Sequence, residues 1–134
     1  ACRWIADSLP LYALNVVLTT PDGLWALRYP DTHGLYLLER AAGGSRGNRH
    51  LDGSSAAGAV RVRSGHLATR PAVIVASEPM DEDPGWRLLS SGELVHVGAH
   101  LDVRSESVID GPPARPLTLT DLGPRAAASQ HPAP

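Results

Sequence analysis

The chain has 134 residues, of which 43% are hydrophobic, and its twelve basic and fourteen acidic side chains leave a formal net charge of −2. That length supports one modest domain with a real core, and charge this near balance provides no field to recruit nucleic acid or an anionic membrane. Cys2 is the single cysteine, which excludes an internal disulfide framework and makes a reducing, cytoplasmic setting the expectation.

Residues 3–9 place Trp4, Ile5 and Leu9 at helical spacing, with Pro10 as a stop, so a short helix is predicted. Two strands follow, Leu14 to Thr19 and Leu24 to Tyr29, joined by Pro21-Asp22-Gly23, in which Pro presets φ and Gly accepts positive φ. The apolar run from Gly34 to Glu39 reads as a third strand. From Ala41 to Gly58 the composition turns to Gly, Ser, Ala, Arg and Asn, with little burial to offset ordering entropy, and a mobile loop is expected. Val60 to Arg63 alternates like a half-exposed edge strand. Ala72 to Ala76 is a continuous, mostly β-branched run of the kind buried on both faces, and is expected at the centre of a sheet. Trp86 to Leu89 and Glu93 to Val97 read as an antiparallel pair around Ser90-Ser91-Gly92, with Leu101 to Val103 extending it.

Residues 105–134 are rich in Pro and Ala without periodicity and are expected to form a mostly disordered tail. The sum is an α+β chain, antiparallel and strand-rich with few helices. A sheet so poorly supplied with helix has a face that must be covered from elsewhere, by another segment or by self-association.

The most specific motif is Val75-Ala-Ser-Glu-Pro-Met-Asp-Glu-Asp-Pro-Gly-Trp-Arg87, within the longer run Val73 to Val97. Physically it is a strand that exits through Ser77 and Glu78 into an acidic turn, closed by Pro84-Gly85 and anchored by Trp86. It resembles the Ala-Ser-Glu-Pro stretch of the small bacterial class II glutamine amidotransferases, the group that includes an ergothioneine-type amidohydrolase. A second match lies upstream: Asn15, Asp22-Gly23 and Arg28 fall in order in a hairpin similar to one in that family. Gly34 to Tyr36 follows where the family places a short strand. Together the resemblance covers residues 1–104, as the C-terminal part of such a domain.

The resemblance implies half of the αββα sandwich of the N-terminal-nucleophile hydrolases. It further implies a parent enzyme that releases ammonia from glutamine or cleaves a γ-glutamyl amide, using an N-terminal cysteine thiolate and its free α-amino group as base. Cys2-Arg3-Trp4-Ile5-Ala6 is similar to the opening of such enzymes, which makes Cys2 the one candidate nucleophile. Its spacing argues otherwise, because the hairpin starts about eight residues later and the family places it well over a hundred later. Ala1 also precedes the cysteine and ties its amine into a peptide bond. The competing reading of Cys2 is a half-buried helix cysteine that acts as a small hydrophobe.

No Asn-Gly dipeptide supplies an oxyanion hole, and Asn48 is followed by Arg49. No catalytic residue is therefore assigned, and the chain alone is expected to be inactive, a fragment or truncated form of its parent. Cofactors and metals are not expected. His96 and His100 diverge along a strand and turn, Asp81-Glu82-Asp83 lacks calcium-loop spacing, and Ser64-Gly65-His66 is no defensible nucleophile-base pair. Two alternatives stand beside the amidotransferase reading: a non-enzymatic β-rich interaction module, and a remnant without a role.

Overall fold

The computed structural model describes residues 1–45, 47, 50–54 and 61–130. Helix α1 (Cys2–Ser8) ends before Pro10, as its sequence requires. Among the described residues eleven strands follow it: β1 (Pro10–Leu11), β2 (Val16–Thr20), β3 (Gly23–Leu27), β4 (Tyr36–Arg40), β5 (Leu51–Ser54), β6 (Arg61–Ser64), β7 (Ala72–Ala76), β8 (Arg87–Leu88), β9 (Glu93–Gly98), β10 (Val103–Ser107) and β11 (Arg115–Pro116). Helix α2 (Pro124–Ser129) closes the described chain. Among the described residues no helix is long and apolar enough to cross a membrane.

Two antiparallel sheets make the body, one ordered β10-β9-β3-β2 and the other β7-β4-β8. Alternation along the strands gives each sheet an inner face. Leu24, Ala26, Val95, Val97 and Val103 from the first sheet share one apolar cluster with Leu37, Val73 and Val75 from the second. Leu35 and Leu89, which sit in the links between the sheets, close the same cluster. The sheets therefore pack face to face. A second cluster lies on the opposite side of the first sheet, where Ala6, Ile5 and Cys2 of α1 meet Leu27, Val16 and Leu94. The hairpin β5–β6 and the loop after β7 approach each other closely: a Cβ at Gly53 would collide with the Met80 carbonyl, and Leu51 and Met80 are both buried.

The hairpin β2–β3 forms as expected, with Thr20 opposite Gly23, but the reason for its glycine differs. Gly23 does not take a positive φ. A Cβ there would lie 2.7 Å from the Val97 carbonyl on β9, so glycine serves close strand approach.

Four expectations are corrected. Strand β7 is not central: it is an edge, and all five of its residues are half-buried. The central position belongs to β4, whose Leu37 and Leu38 face opposite sides and are both buried; the β-branched run reported strand propensity and not depth. Residues 86–89 and 93–97 do not pair with each other. β8 pairs with β4, while β9 lies between β3 and β10. The link between them is a crossing from one sheet to the other, because Leu89 is fully buried in the inter-sheet core.

The stretch expected as a mobile loop contains β5, held by the buried Leu51 and paired with β6. Val60 and Asn48 lie outside the described residues.

The fourth correction concerns 105–130, which is folded onto the body. β10 runs to Ser107, Ile109 is buried in the α1 cluster, and β11 pairs in parallel with β1. The Ala114 N–H donates to the Ala6 carbonyl at 3.0 Å and the Leu117 N–H to the Leu11 carbonyl at 2.9 Å. Gln130 reaches His33 at 2.7 Å. Composition hid the apolar anchor Ile109, with Val108 packed on the same cluster, and backbone bonds that any sequence can make. Gly92 fixes its place: at φ +77° its backbone approaches the Ile109 carbonyl more closely than any Cβ permits. Ile109→Ala should therefore lower unfolding free energy by about 2–4 kcal/mol in urea titration; a disordered tail would leave the midpoint unchanged.

Candidate functional site

The acidic turn after β7 is built by its own carboxylates. Asp81 Oδ1 accepts the Trp86 indole N–H at 2.7 Å and the Asp83 amide at 3.1 Å. Asp83 accepts the Gly85 amide at 3.0 Å and the Ser45 amide at 3.2 Å. Burial alone would raise the Asp83 pKa, but these amide bonds and the nearby Arg40 outweigh it and hold the carboxyl below its ordinary value. A cleft of about 370 Å³ opens beside the turn, lined by Arg40, His50, Asp52, Asp81 and Asp83 among others. Asp81 and Asp83 are engaged as turn acceptors, and Asp52 lies 3.3 Å from the Arg61 guanidinium. Trp86 anchors the turn half-buried, so the conspicuous motif is a framework element.

The hairpin motif has a comparable role. The Asn15 side chain accepts the Tyr29 amide at 3.3 Å and donates to the Gly34 carbonyl at 3.0 Å. Arg28 is buried, and its guanidinium donates to three carbonyls: His33 at 2.8 Å, Leu89 at 2.8 Å and Asp31 at 2.9 Å. The Gly92 amide donates back to the Arg28 carbonyl at 2.8 Å. These residues shape the links between the sheets.

Cys2 is the first residue of α1, half-buried and packed against the cluster formed by Ala6, Leu27, Tyr29 and Ile109. Burial, with Asp7 nearby, pushes the Tyr29 hydroxyl above its ordinary pKa. His33 is edge-on to Tyr12 and bonded to Gln130. His50 is 3.8 Å from Asp52, and both are partly exposed. His96 is stacked on Trp25, with ring centroids 4.7 Å apart. Among the described residues no group of three or more His, Cys, Asp or Glu is placed to hold a metal ion.

The feature that the sequence did not announce is the outer face of the four-stranded sheet. Register puts Leu18, Trp25, His96 and Arg104 in one row across its four strands, beside the row Val16, Leu27, Leu94 and Glu106. Helix α1 covers the second row at Val16, Leu27 and Leu94. The first row stays open: Leu18 is 57% exposed, and a shallow groove runs along Trp25, His96, Arg104 and Glu106. Neither Val16 to Thr20 nor Glu93 to Val97 alternates cleanly between apolar and polar residues, and only the pairing shows which residues share this face. This row offers aromatic and apolar surface with charge at its rim, suited to holding a protein segment.

Searches against protein families, curated proteins and solved structures find no match to this chain.

One ion pair at the site has a pH consequence. Glu93 is buried at the inter-sheet link, where it accepts the Ser90 amide at 2.7 Å and Arg87 at 2.8 Å. Burial raises its pKa, but Ser90, Arg87 and Ser105 together outweigh it and the net shift is downward. A lowered folded-state pKa adds stability that is present above the unfolded value and lost as pH falls through the folded one. Stability should thus drop below about pH 4, and Glu93→Gln should flatten that limb in urea titrations across pH 2–6. An unaltered pH slope in the variant would contradict the assignment.

Proposed function

We propose that this chain is the non-catalytic C-terminal half of a class II glutamine amidotransferase or amidohydrolase domain, whose parent hydrolyses glutamine or a γ-glutamyl amide. What supports the reading is the ordered resemblance of Asn15, Asp22-Gly23, Arg28 and the run 75–87, joined to one structural observation. Two antiparallel sheets pack face to face, yet the outer face of the four-stranded one is covered by α1 only at one end. In an αββα sandwich a helical layer belongs there, and an N-terminal half carrying the nucleophile and oxyanion donors would supply it. On this reading Cys2 is a packing residue, and Asn15, Arg28, Asp81 and Trp86 are scaffold.

The division of roles is tested by measuring ammonia release from glutamine and from γ-glutamyl amides. The isolated chain should show none, and its complex with an amidotransferase N-terminal half should show turnover that survives Cys2→Ala. Turnover by the isolated chain that Cys2→Ala abolishes would overturn the reading. A second reading, a non-enzymatic interaction module, is favoured by the exposed Leu18 beside the Trp25–His96 stack. It is distinguished by its partner: a complex formed over this row that gains no amide hydrolysis favours the module.

A further inference from the structure

We propose that the free edge of β10 is a self-pairing site, at which a second copy of this chain adds antiparallel about a two-fold axis at Ser105. The inference stands apart from the amidotransferase reading. β10 is an edge strand, and Arg104, Ser105, Glu106 and Ser107 are all exposed. Open edges of this kind present unpaired amides and carbonyls to other chains.

Hydrogen-bond phase admits a two-fold centred on a residue of the strand, and charge selects which residue. The Gly98 amide donates to the Asp102 carbonyl at 2.9 Å, and the Val108 amide to the Gly92 carbonyl at 2.9 Å. Antiparallel ladders alternate, so 104 and 106 also turn their main-chain groups toward β9, opposite His96 and Leu94. Val103, Ser105 and Ser107 turn theirs outward. A two-fold centred on Ser105 therefore sets the outward groups of the two copies against each other. In that register Arg104 of one copy lies directly opposite Glu106 of the partner subunit, and the reverse, on the outer sheet face. Both are non-hydrogen-bonded positions, where Cα atoms approach to about 4.5 Å and side chains interact most closely. Moving the axis to residue 104 or 106 still sets outward main-chain groups against each other, 103 against 105 or 105 against 107, but it places Arg104 opposite Arg104 or Glu106 opposite Glu106.

Among two-folds centred on residues 104–106, only the one at Ser105 therefore sets opposite charges against each other, and a two-fold at Val103 would rely on Asp102, which lies outside the strand. Within the chain Arg104 has a 4.0 Å approach to Asp102, with both side chains well exposed, and such a contact is weak enough to yield. The other edge of the four-stranded sheet, β2, carries Val16-Val-Leu-Thr-Thr20 with no charge to fix a register. The second copy therefore adds at β10, and main-chain bonds hold it while the charge pairs set its alignment.

Light scattering on the intact chain over a concentration series should show a monomer–dimer equilibrium. R104E and E106R should each weaken it by ~10-fold or more, since each turns two opposite-charge pairs into like-charge pairs. An equimolar mixture of the two single variants should recover dimer, because one strand then carries two acids and the other two arginines. The double substitution R104E/E106R should recover it as well. Circular dichroism and urea midpoints verify that every variant is folded. A chain that stays monomeric throughout, a dimer indifferent to the single substitutions, or a mixture that fails to recover would each overturn the proposal.

Discussion

The guanidinium of Arg28 holds together the two places where the chain passes between sheets. Residues 28–35 lead from β3 in the first sheet to β4 in the second, and residues 89–92 lead from β8 in the second back to β9 in the first. Arg28 donates to Asp31 and His33 in one crossing and to Leu89 in the other. The backbone repeats the arrangement: the Gly92 amide meets the Arg28 carbonyl, and the Leu89 amide meets the Leu35 carbonyl at 2.9 Å. A buried cation is costly unless its hydrogen bonds are satisfied. Here three carbonyls satisfy it.

The remaining architecture follows from that clamp. With the crossings fixed side by side, Leu35 and Leu89 project into the same apolar cluster and close one end of the sandwich. Arg87 and Glu93 flank the second crossing, and the Glu93 carboxylate also caps the Ser90 amide. The acidic turn lies farther out, shaped by Asp81 and Asp83 around Trp86. The motif residues Asn15, Arg28, Asp81 and Trp86 are therefore concentrated in scaffolding, while the chemically open surface lies elsewhere, on the row from Leu18 to Arg104 and the edge at β10.

Local signals are legible in the sequence. Pro10 stops α1, and Pro21-Asp22 turns β2 into β3, because both depend on a few neighbouring dihedrals. The pairing of β7, β8 and β9 was not legible, since alternation names a strand's faces without naming its neighbours. The order of 105–130 was missed for a related reason. Ile109 is one apolar residue in a Pro-rich stretch, and its burial depends on a pocket made by Ala6, Leu11 and Leu27 far away in sequence. The Trp25–His96 stack likewise exists only through register. Even Gly23, expected to serve the turn through a positive φ, owes its identity to the carbonyl of a strand more than seventy residues later.

The central claim is that the two sheets form one unit because Arg28 clamps both crossings. Urea unfolding combined with native-state hydrogen exchange on Arg28→Met, which keeps the aliphatic stem and removes the donors, tests it most directly. The account predicts a loss of about 3 kcal/mol or more, with the amides of Leu89 and Gly92 losing protection together. Stability within about 0.5 kcal/mol of the parent chain, with both amides still protected, would contradict it.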